Sequence, residues 1–247
     1  MKIIKYFFEF IFFLLLFIVF KILGYRLASN LSSKIIGFCG PFFRPKKRIL
    51  SNIIGSLKNV NENNAKNIIK KMWGNYGRIL SDYVFIKDFR NSNLNNFLSI
   101  EGLEILNEIK KNNKPVIFIS GHFNNFELMA MQIEKSGINL AAIYRPLNNI
   151  FLNKIMEAIR IKHICKNQIK KGLGGTRELL QYFKKNYSIA LMIDQRVSEG
   201  IKINLYGRPA FTTTIPAQLV KKYKCKVVPI YIERIDKVHY KMFVNNP

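Results

Sequence analysis

Residues 116–127 read VIFISGHFNNFE, and this stretch is the first indication of how the chain folds. The β-branched and aromatic run from Val116 to Ser120 is typical of a short buried strand. The run ends at Gly121, which permits a sharp turn, and the residues from Phe126 to Lys135 follow a helical pattern. The stretch therefore predicts a strand, a tight turn and a helix, with His122 at the carboxyl end of the strand.

The same succession of elements continues through the carboxyl-terminal half of the chain. The predicted strands are residues 116–120, 139–144, 189–194 and 226–233, and the predicted helices are residues 126–135, 152–161, 176–185 and 216–222. Alternation of this kind predicts an α/β fold with a mainly parallel or mixed sheet flanked by helices. Pro229 in the last run predicts an edge strand or a bulge, because proline cannot donate to a sheet ladder.

The composition is that of a folded and strongly basic protein. The 247 residues include 40 Lys and Arg against 15 Asp and Glu, a formal net charge of +25, and 49% are hydrophobic. This hydrophobic fraction excludes a disordered basic tail, and the 14 glycines follow no collagen-like period. Three scattered cysteines indicate reduced thiols, and no Cys/His spacing suits a zinc site.

The positive charge has two interpretations. Lys accompanies many Asn and Ile residues, a bias that an AT-rich genome produces without any function. The remaining excess favours an anionic partner, and the candidates are nucleic acid, an anionic membrane surface, a phosphorylated lipid and an acidic carrier protein.

The amino terminus carries an apolar segment at residues 6–23, broken only by Glu9 and Lys21. As a helix this segment would be about 27 Å long, close to the bilayer's hydrocarbon thickness of about 30 Å. A signal peptide is the alternative, but no clean cleavage site of small residues follows. Basic residues after the segment favour a cytoplasmic location for the rest of the chain. We therefore expect an uncleaved membrane anchor, and Glu9 leaves open whether it spans the bilayer or lies in the interface.

Three regions are predicted from these changes in pattern. Residues 1–24 are predicted to form the membrane anchor helix, residues 25–100 a basic helical region that packs on the domain that follows, and residues 101–247 the α/β core. Within the basic region, residues 66–82 are predicted to form an amphipathic helix.

His122 and Glu127 are the candidate catalytic residues. A carboxylate five residues after the histidine can fold back to the imidazole, orient it and stabilise its protonated form. The free ring nitrogen would then take a proton from an alcohol. The alternative is a structural histidine, and zinc binding is a poorer interpretation because His163 and His239 supply no supporting ligand pair.

Further candidates follow two other predicted strands. Asp194 and Gln195 end one of them, Arg145 ends another, and Arg208 lies in the turn Tyr206–Pro209. Because the carboxyl ends of parallel strands meet at one edge of a sheet, the residues that end these strands could face one site. Charged residues in ordinary loops are the alternative, and for Arg145 this includes a structural ion pair with Asp194.

Four blocks, taken in order, resemble the late acyltransferases of lipid A biosynthesis, the lauroyl/myristoyl acyltransferase family. They are Gly121-His122-Phe123-x-Asn125-Phe126-Glu127, Tyr144-Arg145-Pro146-Leu147-Asn148-Asn149, Asp194-Gln195 through Tyr206-Gly207-x-Pro209-Ala210, and Val227-Val228-Pro229. The resemblance covers roughly residues 1–240, with Phe126 where the family usually has Trp. The segment after Gln195 is short and the sequence stops at Pro247, before the family's usual carboxyl-terminal segment, so a truncated chain is one alternative.

The resemblance implies an α/β fold of the glycerolipid-acyltransferase type, an inner-membrane location and a cytoplasmic active site. It implies an acyl carrier protein thioester as donor and a hydroxyl of a phosphorylated glycolipid, the lipid A precursor, as acceptor. His122 would be the general base oriented by Glu127, and the substrate would be bound by Arg145, Asp194, Gln195 and Arg208. No metal or organic cofactor is expected, and the anionic membrane surface is an expected partner.

Two other functions remain as alternatives. One is a lysophosphatidate or glycerol-phosphate acyltransferase, whose first block is typically Asn-His-x4-Asp and whose third block is typically Glu-Gly-Thr. This chain instead has Gly121 before His122 in the first block and Asp194-Gln195 in the third. A non-catalytic, membrane-tethered nucleic-acid-binding protein would need basic residues interleaved with exposed aromatic residues. The aromatic residues here concentrate in apolar runs, so no nucleic acid is expected as a partner.

Overall fold

A seven-stranded sheet lies at the centre of the computed structural model, which describes residues 2–44, 46–57, 59–197 and 200–247. The strands are β1 (Leu98–Glu101), β2 (Ile117–Ser120), β3 (Leu140–Tyr144), β4 (Asn167–Lys170), β5 (Ser188–Met192), β6 (Ile201–Leu205), β7 (Arg208–Thr212), β8 (Val227–Arg234) and β9 (Tyr240–Val244). The helices are α1 (Lys2–Cys39), α2 (Lys46–Ser56), α3 (Glu62–Asp82), α4 (Ile86–Arg90), α5 (Leu103–Asn112), α6 (Glu127–Lys135), α7 (Ile150–Ile159), α8 (Leu173–Lys184) and α9 (Ile215–Tyr223).

The strand order of the sheet is β1-β9-β8-β2-β5-β3-β4, and β6 and β7 form a separate antiparallel hairpin. Five neighbouring strands, β8, β2, β5, β3 and β4, are parallel. β9 is antiparallel to β8, and β1 is parallel to β9. This arrangement confirms the predicted α/β fold with a mainly parallel sheet.

Helices cover both faces of the sheet, as a parallel sheet requires. Successive residues of β2 point to opposite faces: Phe118 packs in a core with α1, α4, α5 and α6, and Ile117 packs in a core with α8 and α9. Both side chains are fully buried. Burial of each contributes about 1.5–3 kcal/mol, which explains why β2 is an almost uninterrupted apolar run.

The sequence did not indicate five of the strands. β1 and β4 have only four residues each, and both strands of the hairpin are largely exposed, so neither pair has a strong apolar pattern. β9 was also missed, although its residues alternate between buried and half-buried positions. The expectation that Pro229 marks an edge strand or a bulge was wrong, because β8 pairs with β2 on one side and β9 on the other. Pairing of β8 with β9 begins at Ile230, so the missing N–H of Pro229 lies just beyond that ladder.

α1 is long, apolar and kinked. Of the described helices it alone is long and apolar enough to cross a membrane, with a mean hydropathy of 2.5 over 18 residues. The kink is at Gly24, whose φ of 76° and ψ of 166° lie in a region that is essentially restricted to glycine. Beyond the kink α1 packs on α3, where Ser32 Oγ donates to the carbonyl oxygen of Gly77 at 2.6 Å.

A buried carboxylate joins α3 to the sheet. Asp82 is fully buried at the end of α3, and its Oδ2 accepts from Arg234 Nη2 at 2.9 Å and from the hydroxyl of Tyr240. The side-chain amide of Asn125 donates to the same oxygen at 3.2 Å. Three separate segments, β8, β9 and the loop after β2, therefore depend on one carboxylate of α3.

We expect the Asp82→Ala substitution to lower the free energy of unfolding by about 3–5 kcal/mol, because it leaves the buried charge of Arg234 without a partner. Urea titration followed by circular dichroism measures this loss. The matched control is Glu108→Ala on the exposed side of α5, which should change the stability by less than about 0.5 kcal/mol. Equal effects of the two substitutions would contradict the structural role of Asp82.

Candidate active site

His122 lies at the carboxyl edge of the parallel sheet, two residues beyond the end of β2. β2 is hydrogen-bonded to β5 in a register that pairs Ser120 with Met192. Asp194 lies two residues beyond Met192, just as His122 lies two residues beyond Ser120. This register brings His122 and Asp194 together.

The carboxylate of Asp194 holds both the ring and the backbone of His122. Its Oδ1 lies 2.7 Å from His122 Nδ1, and its Oδ2 accepts from the backbone N–H of His122 at 2.8 Å. The side chains of His122 and Asp194 are 34% and 42% exposed, so a substrate can reach them. An acceptor at Nδ1 places the proton of the neutral imidazole there, which leaves Nε2 free to accept a proton.

Two neighbours complete the surroundings of the imidazole. The side-chain amide nitrogen of Gln195 lies 3.3 Å from His122 Nε2, and the Phe126 ring contacts the imidazole edge to face at 5.0 Å between centroids. A Cβ atom at Gly121 would lie only 3.3 Å from Cγ of Asp194 and 2.9 Å from the ring of Phe123. Glycine therefore lets the turn approach the carboxylate closely.

Glu127 is placed differently from the expectation. It lies in the first turn of α6, where its Oε1 accepts from Arg160 Nε at 2.9 Å, from Arg160 Nη2 at 2.5 Å and from the hydroxyl of Tyr83 at 2.5 Å. The hydrogen bond that the sequence assigned to Glu127 at the imidazole is made by Asp194 instead. Whether Glu127 takes part in catalysis stays a prediction.

The contacts of Glu127 form a buried cluster. Burial disfavours the charged guanidinium of Arg160, but Glu127 outweighs it, so the pKa of Arg160 lies above its ordinary value. Burial and the neighbouring carboxylate raise the pKa of the Tyr83 hydroxyl. The cluster is thus an ion pair with a neutral tyrosine that donates to it, and it fixes the start of α6 directly behind the histidine loop.

Arg145 and Arg208 lie apart from the pair formed by His122 and Asp194. Arg145 is exposed one residue beyond the end of β3, and the proposed structural ion pair with Asp194 is replaced by the pair that Asp194 makes with His122. Arg208 begins β7, and its guanidinium packs against Gly55 of α2 and lies 3.5 Å from the carbonyl oxygen of Ser51. Whether either arginine binds a substrate stays a prediction.

In residues 2–44, 46–57, 59–197 and 200–247, no group of three His, Cys, Asp or Glu side chains is placed to hold a metal ion. In the candidate site His122 is paired with Asp194, and Glu127 is paired with Arg160.

The comparison with known families confirms the resemblance that the sequence indicated. The model of the family described as "Bacterial lipid A biosynthesis acyltransferase" matches residues 1–247. The chain belongs to this family. A curated relative, "Lipid A biosynthesis acyltransferase 2" of Shigella flexneri, is 23% identical over 144 residues, which are 57% of this chain and 45% of the relative. The match thus spans less than half the length of that relative.

In this member of the lipid A acyltransferase family, Tyr83 and Arg160 hold Glu127 in place, and the sequence indicated neither of them. They lie 44 and 33 residues from Glu127, so no local spacing connects them to it. The structure also shows a π-helical turn over Arg160–Ile164. Turns of this kind are frequently found at functional sites. Arg160 also lies over the ring of Tyr144, 5.4 Å from its centroid.

The contrast between Asp194 and Glu127 can be tested on the imidazole itself. When the imidazole of His122 is neutral in the wild-type protein, we expect its proton on Nδ1, because Asp194 accepts a hydrogen bond there. The ¹⁵N NMR shifts of the two ring nitrogens report which of them carries the proton. Asp194→Asn should shift the population toward the other tautomer, since the amide can offer a donor to Nδ1. Glu127→Gln is the matched control and should leave the tautomer unchanged. A change in Glu127→Gln alone would favour the contact expected from the sequence.

Proposed function

We propose that the protein transfers a fatty acyl group from an acyl carrier protein thioester to a hydroxyl of a lipid A precursor, with His122 as general base. The observation that carries the proposal is the hydrogen bond between His122 Nδ1 and Asp194 at the exposed carboxyl edge of the sheet. Membership of the lipid A acyltransferase family supports the choice of reaction and acceptor.

The geometry suits base-assisted attack on a thioester. An alcohol has a pKa far above 7, so its oxygen becomes a useful nucleophile only when a base removes the proton as the bond forms. In the proposed step Nε2 of His122 takes that proton while the hydroxyl oxygen attacks the thioester carbonyl. The tetrahedral intermediate then expels the carrier thiolate as the C–S bond breaks, and the imidazolium returns its proton to the sulfur. Asp194 stabilises the imidazolium between the two steps.

The other candidate residues have supporting roles in this proposal. Glu127 is a positioning residue, because its ion pair with Arg160 fixes the start of α6 and not the imidazole. Gln195 points its amide at His122 Nε2, where a substrate oxygen would take its place. Arg145, exposed at the same edge, offers a planar fork for a phosphate or sugar oxygen. We assign Arg208 to a more distant substrate contact beside α2.

The contacts between α1 and the folded domain limit how α1 can associate with a membrane. The side-chain amide of Asn149, in the loop after β3, donates to the carbonyl oxygen of Tyr6 at 2.9 Å and to Glu9 Oε2 at 3.0 Å. Further along the helix, Phe20 is fully buried in the core and Lys21 pairs with Asp88 at 2.8 Å. One face of α1 therefore packs on the folded domain along nearly the whole apolar segment.

We infer that α1 lies in the membrane interface and does not cross the bilayer. A crossing helix with these contacts would draw α7 and α4 into the hydrocarbon, including the charged pair at Asp88. The opposite face of α1 is apolar and exposed, and it suits one leaflet; it comprises Ile4, Phe8, Phe12, Leu15, Ile18 and Ile22. We place this helix in the cytoplasmic leaflet of the inner membrane, with the catalytic edge facing the lipid.

The base assignment predicts that His122→Ala lowers acyl transfer by about 10²–10⁴-fold, and Asp194→Asn by a comparable factor, without loss of thermal stability. The assay incubates purified protein with acyl carrier protein thioester and lipid A precursor, and mass spectrometry quantifies the acylated lipid. Glu127→Gln should lower both activity and melting temperature, because it leaves Arg160 without a countercharge. His163→Gln is the control. Near-normal turnover of folded His122→Ala would rule out this mechanism.

The interfacial position of α1 predicts where its amino terminus can be labelled. Lys5 has a side chain that is 73% exposed, so Lys5→Cys should react readily with a membrane-impermeant maleimide that reaches its side of the membrane. We expect labelling after lysis and none in intact spheroplasts. Lys111→Cys, at the exposed end of α5, is the control for a cytoplasmic position. The parent protein, which keeps its own cysteines, gives the background labelling. Labelling of Lys5→Cys in intact spheroplasts would show that α1 spans the bilayer.

A further inference from the structure

A cleft of about 1540 Å³ opens between the second half of α1, α2, α3 and the turn between β8 and β9. Its walls carry nine Lys and Arg side chains but only two carboxylates, a larger ratio than the 40 to 15 of the whole chain. One of the two carboxylates, Glu62, is already paired with Lys66 at 2.8 Å. Positive charge is therefore concentrated here beyond what the general lysine bias of the sequence produces.

Arg78 of α3 is a half-buried cation of the cleft with only neutral hydrogen-bond partners. Its Nη1 donates to Ser29 Oγ at 2.9 Å, to Asn30 Oδ1 at 3.0 Å and to the carbonyl oxygen of Lys237 at 3.3 Å. In the part of the chain that the structure describes, no carboxylate lies within salt-bridge distance of it. Burial and the neighbouring Arg234 lower the pKa of Arg78.

Among the described residues Arg234 makes a direct ion pair with Asp82, whereas the charge of Arg78 is only partly compensated by that more distant carboxylate. Arg234 lines the same cleft and pairs with the buried Asp82 at 2.9 Å. A partly desolvated guanidinium without a direct ion pair is stabilised further when an anion binds to it. Phosphate suits this position, because the guanidinium can donate two parallel hydrogen bonds to its oxygens.

The cleft borders the candidate active site at one end and the membrane-associated helix at the other. Asn124, two residues after His122, lines the cleft, and its amide donates to the carbonyl oxygen of Ile232 on β8 at 3.2 Å. Lys34 and Phe38 of α1 line the opposite side. A lipid held in the leaflet beside α1 could thus extend a headgroup into the cleft while its acyl chain reaches His122.

We propose that this cleft binds the phosphate groups of the phosphorylated glycolipid acceptor, with Arg78 in the recess and the exposed Lys70 and Lys71 beside it. This inference rests on the proposed function and adds a binding site separate from the catalytic edge. A recessed guanidinium is accessible to a phosphate group but not to the convex acidic surface of a folded carrier protein. The carrier protein is therefore the alternative that the experiment has to separate.

The test measures binding and turnover in the full-length protein. The probes are the lipid A precursor in detergent micelles and the same lipid after phosphatase treatment. The cleft variant is Lys70→Gln/Lys71→Gln, and the matched control is Lys184→Gln/Lys185→Gln at the exposed end of α8, which removes the same charge. We expect the cleft variant to weaken binding of the phosphorylated lipid roughly thirtyfold, from about 1 kcal/mol for each of the two lysines near the headgroups.

Arg78 is tested with two substitutions. Arg78→Gln should weaken binding of the phosphorylated lipid more than Arg78→Lys, and neither should affect binding of the dephosphorylated lipid. Because Arg78 also joins α1 to the turn after β8, the melting temperature of each variant is measured in parallel. The double lysine variant, whose side chains are exposed, keeps the test decisive if Arg78→Gln does not fold.

Three outcomes would overturn the inference, and a fourth would overturn only the proposed function. A raised KM for the carrier thioester with unchanged lipid binding would assign the cleft to the carrier protein. Equal weakening in the cleft variant and the α8 control would show only an effect of net charge, and equal weakening for both lipids would exclude phosphate recognition. If wild-type protein binds the phosphorylated lipid through the cleft but transfers no acyl group, the proposed function fails and the binding site stands.

Discussion

The arrangement of the site depends on the hydrogen bonds that the buried carboxylate of Asp82 accepts. A charge with no solvent exposure is stable only when donors surround it, and here they come from β8, β9 and the histidine loop. The next residue, Tyr83, donates to Glu127. The last residue of α3 and the residue that follows it therefore hold Asn125 and Glu127 in the interior, and His122 lies at the exposed edge, where it meets Asp194.

This arrangement explains the spacing of the block from His122 to Glu127 without a direct contact between the two side chains. The segment leaves β2, turns, and begins α6 within a few residues, so its ends point to different surroundings. His122 reaches the solvent-accessible edge of the sheet, where Asp194 holds it. Glu127 reaches a pocket closed by Arg160 and Tyr83. The acidic residue of the block thus stabilises the loop's position, and a second acidic residue, Asp194 beyond the end of β5, orients the ring.

The sequence predicted the repeating strands and helices of the core because those elements have strong apolar patterns. It also placed His122 and Asp194 correctly at strand ends. It could not show that their strands are neighbours, since 72 residues separate the two and only the pairing of Ser120 with Met192 aligns them. The partner of Glu127 was missed for the same reason. Asp82 was assigned only as the last residue of a helix, because burial of a carboxylate is a property of the packed structure.

The division of charge along α1 separates two tasks that the proposed reaction requires. A hydroxyl on an acyl chain lies deeper in a leaflet than the phosphates of the same lipid, so one small pocket cannot serve both. The apolar half of α1 contacts the loop after β3, at the catalytic edge. Beyond the kink at Gly24, the polar half forms a wall of the basic cleft. In the proposed arrangement a single kinked helix relates the depth of the acyl chain to the level of the headgroup. Asn124 lines the cleft and belongs to the loop that carries His122.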